Sequence, residues 1–545
     1  MQLKKYFSFL LVFMVSVAVF AQDLNTIKPP KLVVGLVVDQ MRWDFLNRYQ
    51  PLYGKGGFRR LMTEGFRCEN TFIPYVPTYT AAGHAAIFTG SVPAINGIVG
   101  NNWFDQATGL SIYCADDSTV HGVGSLTSAG NMSPRNMITT TIGDELKLSN
   151  NFQSKVIGIS LKDRGAIFPA GHSANAAYWL DDEAGGKWIT SSYYTDSLPG
   201  WVIDFNSRNL PDNYMKKDWN TLLPLSSYTQ STYDEQNYEG TIPGEKSTSF
   251  PHRLSEIKDK RMLAFRFTPF ANTFSLDFAR EAIEAEKLGQ DAITDILTVS
   301  LSAPDYCGHE FGPNSIEVED MYLRLDQDIA SFLSYLDVKL GKGNYVFFIT
   351  ADHGVANIPA FLESKKIPAG TFRGKDLLTE LNASVEKIWG YPKLIRKLEN
   401  AQLYLDPSMM QKAGNEAGAI KAHLLQQLLD KPYVTNAFSL SALHEVTLPS
   451  AIKSTVANGY YPKRSGDIQI ITLPHYIDKS KTGTTHGVWN PYDAHIPLIW
   501  FGTGIRKGAL YRETYMTDIA ATLAALLGIQ MPNGCVGKVI EELMR

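Results

Sequence analysis

Residues 32–39 read LVVGLVVD, an apolar run that ends abruptly in the carboxylate of Asp39. The same pattern recurs in Tyr345–His353, where YVFFIT is followed by Ala351, Asp352 and His353, and in Ile296–His309, where ILTVSL precedes Asp305 and His309. Short runs rich in Val and Ile, bounded by turn residues, read as strands buried on both faces of a parallel sheet. Ligands of such sheets sit beyond the carboxyl ends of the strands. Thr484-Thr485-His486 adds a further imidazole. Three Asp and three His brought together there provide donors for two metal ions.

Further runs fit the same plan. Lys155–Leu161 (KVIGISL) and His495–Phe501 (HIPLIWF) read as two more strands. Ile316–Leu340 places Met321, Leu325, Ile329, Phe332 and Leu336 on one helical face. Thr517–Leu527 reads as another helix, with Asp518 in its first turn. Alternating strand and helix predicts an α/β fold with a mainly parallel sheet flanked by helices. Because the candidate ligands run from Asp39 to His486, one catalytic domain is expected over residues 22–545, with large insertions. Residues 105–135 and 193–260, rich in Asn, Ser, Thr, Tyr, Gly and Pro, read as irregular segments over the strand ends. Residues 360–464 read as a compact cap containing helices such as Ala417–Leu429.

Residues 1–21 read as an export signal. Lys4 and Lys5 precede the apolar stretch Phe7–Phe20, and Val19-Phe20-Ala21 suits a signal peptidase. The stretch is shorter than the roughly 20 residues that span a bilayer. A secreted or periplasmic chain with no membrane anchor after cleavage is expected; an uncleaved anchor is the alternative. The formal charge of −4, about −6 without Lys4 and Lys5, favours neither nucleic acid nor an anionic membrane as bulk partner. Cys68, Cys114, Cys307 and Cys535 form no C-x-x-C unit, so a thiolate zinc site is not expected, and their pairing is open.

Carboxylate mixed with imidazole suits zinc, whereas magnesium and calcium prefer oxygen alone. The nucleophile candidate is Thr80, in Pro77-Thr78-Tyr79-Thr80-Ala81-Ala82-Gly83-His84, where the alanines favour a helix beginning at Thr80. Its bland reading is an N-cap threonine. His84, four residues on, reads as structural, and Asp181-Asp182-Glu183 as a solvated turn.

The ordered set Asp39, Thr80, Asp305-x-x-x-His309, Asp352-His353 and His486 resembles the alkaline phosphatase superfamily, in particular the phosphate-irrepressible alkaline phosphatases of Bacteroidetes-type bacteria. Lys31–Arg42, Gly97–Trp103, Ser160–Arg164 and Gly308–Asp320 are similar as well. The resemblance implies an alkaline-phosphatase-like fold and a broad phosphate-monoester hydrolase acting on small molecules through a zinc-activated Thr80 and a phosphothreonine intermediate. It implies one zinc on Asp305, His309 and His486, and another on Asp39, Asp352, His353 and the Thr80 oxygen. It assigns Asn101, Lys162 and Arg164 to the phosphoryl oxygens. Lys162 would occupy the region where many relatives bind magnesium, so two zinc ions and no required magnesium are expected. The chain carries no interface signal, and a monomer is expected. The rival on the same scaffold is a nucleotide pyrophosphatase/phosphodiesterase. A sulfatase would carry Cys/Ser-x-Pro-x-Arg at the nucleophile, which Thr80-Ala81-Ala82-Gly83 lacks. A zinc-binding or carbohydrate-interaction protein with a vestigial site is the remaining alternative.

Overall fold

The computed structural model describes residues 29–479 and 481–544; the expected export signal lies outside them. A ten-stranded sheet forms the centre. Its strands are β1 (Leu32–Val38), β2 (Phe66–Phe72), β3 (Gly122–Val123), β4 (Val156–Ser160), β5 (Ala176–Asp181), β6 (Lys187–Ser191), β7 (Asp295–Leu301), β8 (Tyr345–Thr350), β13 (His495–Gly502) and β14 (Gly508–Tyr515). Between β8 and β13 the chain forms a separate antiparallel sheet of β9 (Ile395–Glu399), β10 (Gln402–Leu405), β11 (Val434–Ser439) and β12 (Ile468–Thr472).

The large sheet has the order β14-β2-β13-β8-β1-β7-β4-β5-β6-β3. From β8 through β5 the pairings are parallel. Every residue of β1, β7 and β8 is buried, as their unbroken apolar sequences require. Helices α1 (Thr80–Thr89), α2 (Asp163–Ala170), α3 (Phe270–Ala285), α4 (Ala303–Phe311), α5 (Ile316–Leu340) and α7 (Asp518–Leu527) flank it. The α/β expectation is met, with one difference. Strand β13 runs antiparallel to both β8 and β2. The loop before it carries His486, which lies with the ligands at the carboxyl ends of the parallel strands. The next strand therefore starts at that end and must run backwards.

Residues 193–260 contain little regular structure but are firmly attached. Asp320 of α5, fully buried, accepts hydrogen bonds from the Trp219 indole (2.7 Å), the Leu222 amide (2.6 Å) and the Tyr228 hydroxyl (2.5 Å), besides Arg324 (2.6 Å). One carboxylate thus satisfies donors from a segment that has no ladder of its own. Asp320→Ala strands these donors together with a guanidinium. We expect it to cost about 3–5 kcal/mol, measured as a lower denaturant midpoint, with new proteolytic cleavage between Trp219 and Tyr228.

The β9–β12 sheet packs on the helix Gly374–Trp389 and on α6 (Ala417–Leu429) around Leu381, Val385, Ile420, Leu424 and Ile468. The β9–β10 turn reaches the main body: the Asn400 amide donates to the Asn102 carbonyl at 2.9 Å. In residues 105–135 the hairpin Asn102–Asp105/Leu110–Tyr113 replaces part of the expected irregular segment. All four cysteines are free thiols; Cys68, Cys114 and Cys307 are buried. Among the described residues no helix is long and apolar enough to cross a membrane.

Candidate active site

Four strand ends deliver the chemistry. Asp39 follows β1, Lys162 follows β4, Asp305 lies in the first turn of α4 after β7, and Asp352-His353 follow β8. Helix α4 puts His309 one turn beyond Asp305, so its Nε2 lies 3.2 Å from Asp305 Oδ1. His486 Nε2 approaches the same oxygen at 3.7 Å. Ligand atoms of Asp39, Asp352 and His353 lie close enough together to hold one ion, as do those of Asp305, His353 and His486. His353 therefore belongs to both groups, and its ring stacks on His486 at 3.5 Å.

The donor set fits metal binding on two independent grounds. First, each of the three imidazoles has its Nδ1 against a backbone carbonyl: His309 to Thr484 (2.9 Å), His353 to Gly354 (2.9 Å) and His486 to Thr78 (2.7 Å). A carbonyl only accepts, so Nδ1 must carry the proton and the Nε2 lone pair faces the cluster. Second, Asp39 Oδ1 and Asp352 Oδ2 are buried without a hydrogen-bond partner. Orphaned carboxylate oxygens are costly in a protein interior unless a cation meets them.

The electrostatics agree for most of the set; His309 is the exception, raised by Asp305 beside it against the effect of burial. Burial, reinforced by Asp305, pushes Asp39 up to about 6 against the pull of Lys162. Burial and the neighbouring Asp39 raise Asp352 well above the usual carboxylate range. Burial, helped by His309, holds His486 down at about 3, and burial with His486 also lowers His353. Neutral imidazoles are the ligating form.

Thr80 opens α1 and is buried, with its hydroxyl 3.4 Å from His353 Nε2. It is not an N-cap: Tyr79 holds that position, and the Ala81 amide is satisfied at 3.0 Å by Asn101 Oδ1. The Thr80 hydroxyl is therefore free of a capping role, and the Asn101 oxygen is used, leaving its NH2 as donor. Gly83 permits this approach of helix to strand end, since a Cβ there would lie 2.5 Å from the Asp352 carbonyl. The Lys162 ammonium bridges the two groups, 2.6 Å from Asp39 Oδ2 and 2.5 Å from Asp305 Oδ2. Arg164 is held by the Tyr113 hydroxyl at 3.0 Å, which in turn donates to Asp163. The structure thus brings Asp39, Thr80, Asp305, His309, Asp352, His353, His486 and Lys162 into one cluster. Asn101 is tied to the start of α1, and Arg164 stands two residues beyond Lys162.

Known proteins resemble the chain over nearly its full length. The model of the type I phosphodiesterase/nucleotide pyrophosphatase family matches residues 33–493, a span that includes every candidate ligand. The chain is 48% identical over 536 residues to alkaline phosphatase PafA of Elizabethkingia meningoseptica, covering 98% of both chains. It is also 48% identical over 524 residues to alkaline phosphatase PhoV of Synechococcus elongatus, covering 96% of this chain and 94% of that one. The crystal structure of wild-type PafA superposes with a TM-score of 0.93 at 48% identity, over 96% of this chain and 100% of that one. The chain belongs to the PafA-type alkaline phosphatases. Within that superfamily the family model spans both diester- and pyrophosphate-directed members, so the choice of substrate rests on the residues around Thr80.

Three side chains of this PafA-type site escaped the sequence reading. Gln40 takes a left-handed backbone (φ 67°), donates through its side chain to Asp305 Oδ1 at 2.6 Å, and through its amide to Asp352 Oδ1 at 3.1 Å. It aligns two carboxylates from different strands. Gly308 makes room for it, because a Cβ there would sit 1.9 Å from the Gln40 side-chain oxygen. Tyr113 anchors Arg164, as above. Lys479 bonds the carbonyls of His309 (2.7 Å) and Thr484 (2.9 Å), fastening the His486 loop to α4. For Gln40 the only sequence signal was its place directly after Asp39. His84 is structural in geometry: its nitrogens contact the Thr80 carbonyl (2.8 Å) and the Ser300 hydroxyl (2.7 Å).

Proposed function

We propose that the protein is an exported hydrolase of phosphate monoesters in which Thr80 is the nucleophile and is transiently phosphorylated. The observation that carries this reading is the buried Thr80 hydroxyl beside His353 Nε2, at the edge of carboxylates and imidazoles whose free atoms face one another. Asp305, His309 and His486 would hold one zinc, and Asp39, Asp352, His353 and Thr80 the other, with His353 near both. When bound, the ions supply Lewis acidity to the attacking and departing oxygens. The remaining work falls to the chain. Thr80 Oγ1 attacks phosphorus in line, and water later releases the phosphoryl group from it. A monoester dianion spreads charge over three oxygens, and Asn101 NH2, the Lys162 ammonium and the Arg164 fork are the donors for them. Lys162, already neutralising Asp39 and Asp305, supports a site with two metals and no required magnesium. Residues 22–545 would act as one catalytic domain with its insertions, as a monomer.

The rival reading is a phosphodiesterase, which the family model's description also covers. A diester offers one anionic oxygen fewer to the three donors. The test is the rate on p-nitrophenyl phosphate against bis-p-nitrophenyl phosphate, with metal analysis and chelator in parallel. We expect the monoester to be favoured by on the order of 10²-fold or more, about 3 kcal/mol of extra charge-assisted bonding, and chelation to abolish both rates. Diester preference would overturn the assignment.

A further inference from the structure

A cavity of about 260 Å³ opens between the β9–β10 turn and the loop carrying His486. Tyr79, Phe372 and Tyr476 line it, with the carboxylates of Glu399 and Asp478, and His486 forms part of its wall. Among the described residues no Lys or Arg lines it. The cavity shares His486 with the metal-ligand cluster, and Tyr79 in its wall is the residue that precedes Thr80. Its far wall is fixed: Asn400 and Ala401 both take left-handed conformations (φ 58° and 55°), which fold the turn tightly. The Asn400 side chain is anchored on Asn102, the neighbour of Asn101.

The chemistry of this cavity is opposite to that of the phosphoryl donors. Asp478 accepts one bond, from the Gly374 amide at 2.9 Å. Glu399 has one oxygen on Lys397 at 3.0 Å, a cation outside the cavity lining. Aromatic rings beside carboxylates, with no competing basic group, form the environment that attracts organic ammonium ions. Phe372, in the cavity wall, stacks in parallel on Tyr433 at 4.6 Å, which holds its ring in place. A cavity of this size accommodates a small alcohol.

We propose that this cavity receives the alcohol half of the substrate and selects phosphate monoesters of ammonium-bearing alcohols. The inference rests on the monoesterase reading and on His486 belonging to the ligand group that does not hold the Thr80 nucleophile. The step is ordinary hydrolysis. The bond from phosphorus to the alcohol oxygen breaks as the Thr80 oxygen bonds phosphorus. The alcohol oxygen takes a proton, and one water later releases phosphate, so one water is consumed per alcohol and phosphate formed.

The probes are phosphocholine and its neutral isostere 3,3-dimethylbutyl phosphate. The ratio of their kcat/KM values is measured in the full chain and in a Glu399→Gln/Asp478→Asn double variant. We expect the ratio to fall on the order of tenfold in the variant; an unchanged ratio overturns the inference. The isostere's own turnover shows whether the variant is folded. Independently, free choline should inhibit the unaltered enzyme competitively and 3,3-dimethylbutan-1-ol should not; equal inhibition, or none by either, overturns it. If p-nitrophenyl phosphate is hydrolysed in the same experiments, such failure falls on this inference alone. If it is not, the monoesterase reading falls and takes this one with it.

Discussion

Replacing Thr80 with Ala should lower kcat on p-nitrophenyl phosphate by on the order of 10³-fold or more, the scale on which removal of a nucleophile is felt, while metal content and fold persist. The structure separates these effects. Every other ligand atom in the cluster comes from a different residue, so most of the metal-binding set survives. The hydroxyl caps no backbone group, because the Ala81 amide is satisfied by Asn101. Alanine is a good helix former at the first position of α1. Thr80→Ser, which keeps the oxygen, should restore most of the activity. Inductively coupled plasma analysis of zinc per chain and a single-turnover assay with ³²P-labelled substrate make the comparison. Full metal occupancy with no labelled enzyme is the expected outcome. Turnover retained by Thr80→Ala with an unchanged pH profile would remove Thr80 from the chemistry.

The fold was legible where one face or both faces of an element are uniformly apolar. Leu32–Val38 and Tyr345–Thr350 are the observed bounds of β1 and β8, and Ile316–Leu340 and Ala417–Leu429 are the observed bounds of α5 and α6. The helix expected to start at Thr80 does so. In these stretches local pattern and tertiary burial demand the same residues. Legibility failed where a strand is short, polar or at an edge. β9 reads IRKLE, with alternation too brief to stand out, and its partner QLYL is only four residues long. They pair with each other as a hairpin, but the other neighbour of β10 is the distant β12, which no local window contains. The reversed direction of β13 is likewise a property of the loop before it, not of its own apolar residues.

At the site, ligand types and their strand-end positions could be read from sequence because chemistry restricts which side chains hold a divalent ion. Supporting residues could not. Gln40, Tyr113 and Lys479 act through a side-chain amide, a phenol and an ammonium, groups that are common on any surface. Their roles exist only once remote segments meet. The sharing of His353 between both ligand groups is a distance, and no spacing in the chain encodes it.

Lys162→Ala should have the second largest effect, and a different signature. Its ammonium lies within 2.6 Å of Asp39 Oδ2 and 2.5 Å of Asp305 Oδ2, one carboxylate from each ligand group. Burial disfavours the charge, but Asp305 and Asp39 outweigh it and raise the lysine above its ordinary value, so it remains protonated across the working range. Truncation leaves two buried carboxylates facing each other without their shared cation. Breaking a buried pair by removing one partner costs about 3–5 kcal/mol, which as lost transition-state stabilisation is about two to four decades in kcat/KM. Both monoesters and diesters should suffer, since the metal-ligand geometry is disturbed, with monoesters losing more. Arg164→Ala isolates the second component: Arg164 hangs from Tyr113 and contacts no ligand carboxylate within the cluster, so its loss should fall mainly on monoesters. The space vacated by Lys162 faces two carboxylate oxygens and suits a hydrated magnesium ion. Millimolar magnesium should therefore raise the activity of Lys162→Ala severalfold and leave Arg164→Ala unmoved. Equal losses on both substrate classes in Arg164→Ala, or magnesium rescue of Arg164→Ala but not of Lys162→Ala, would reverse the division of labour between these two cations.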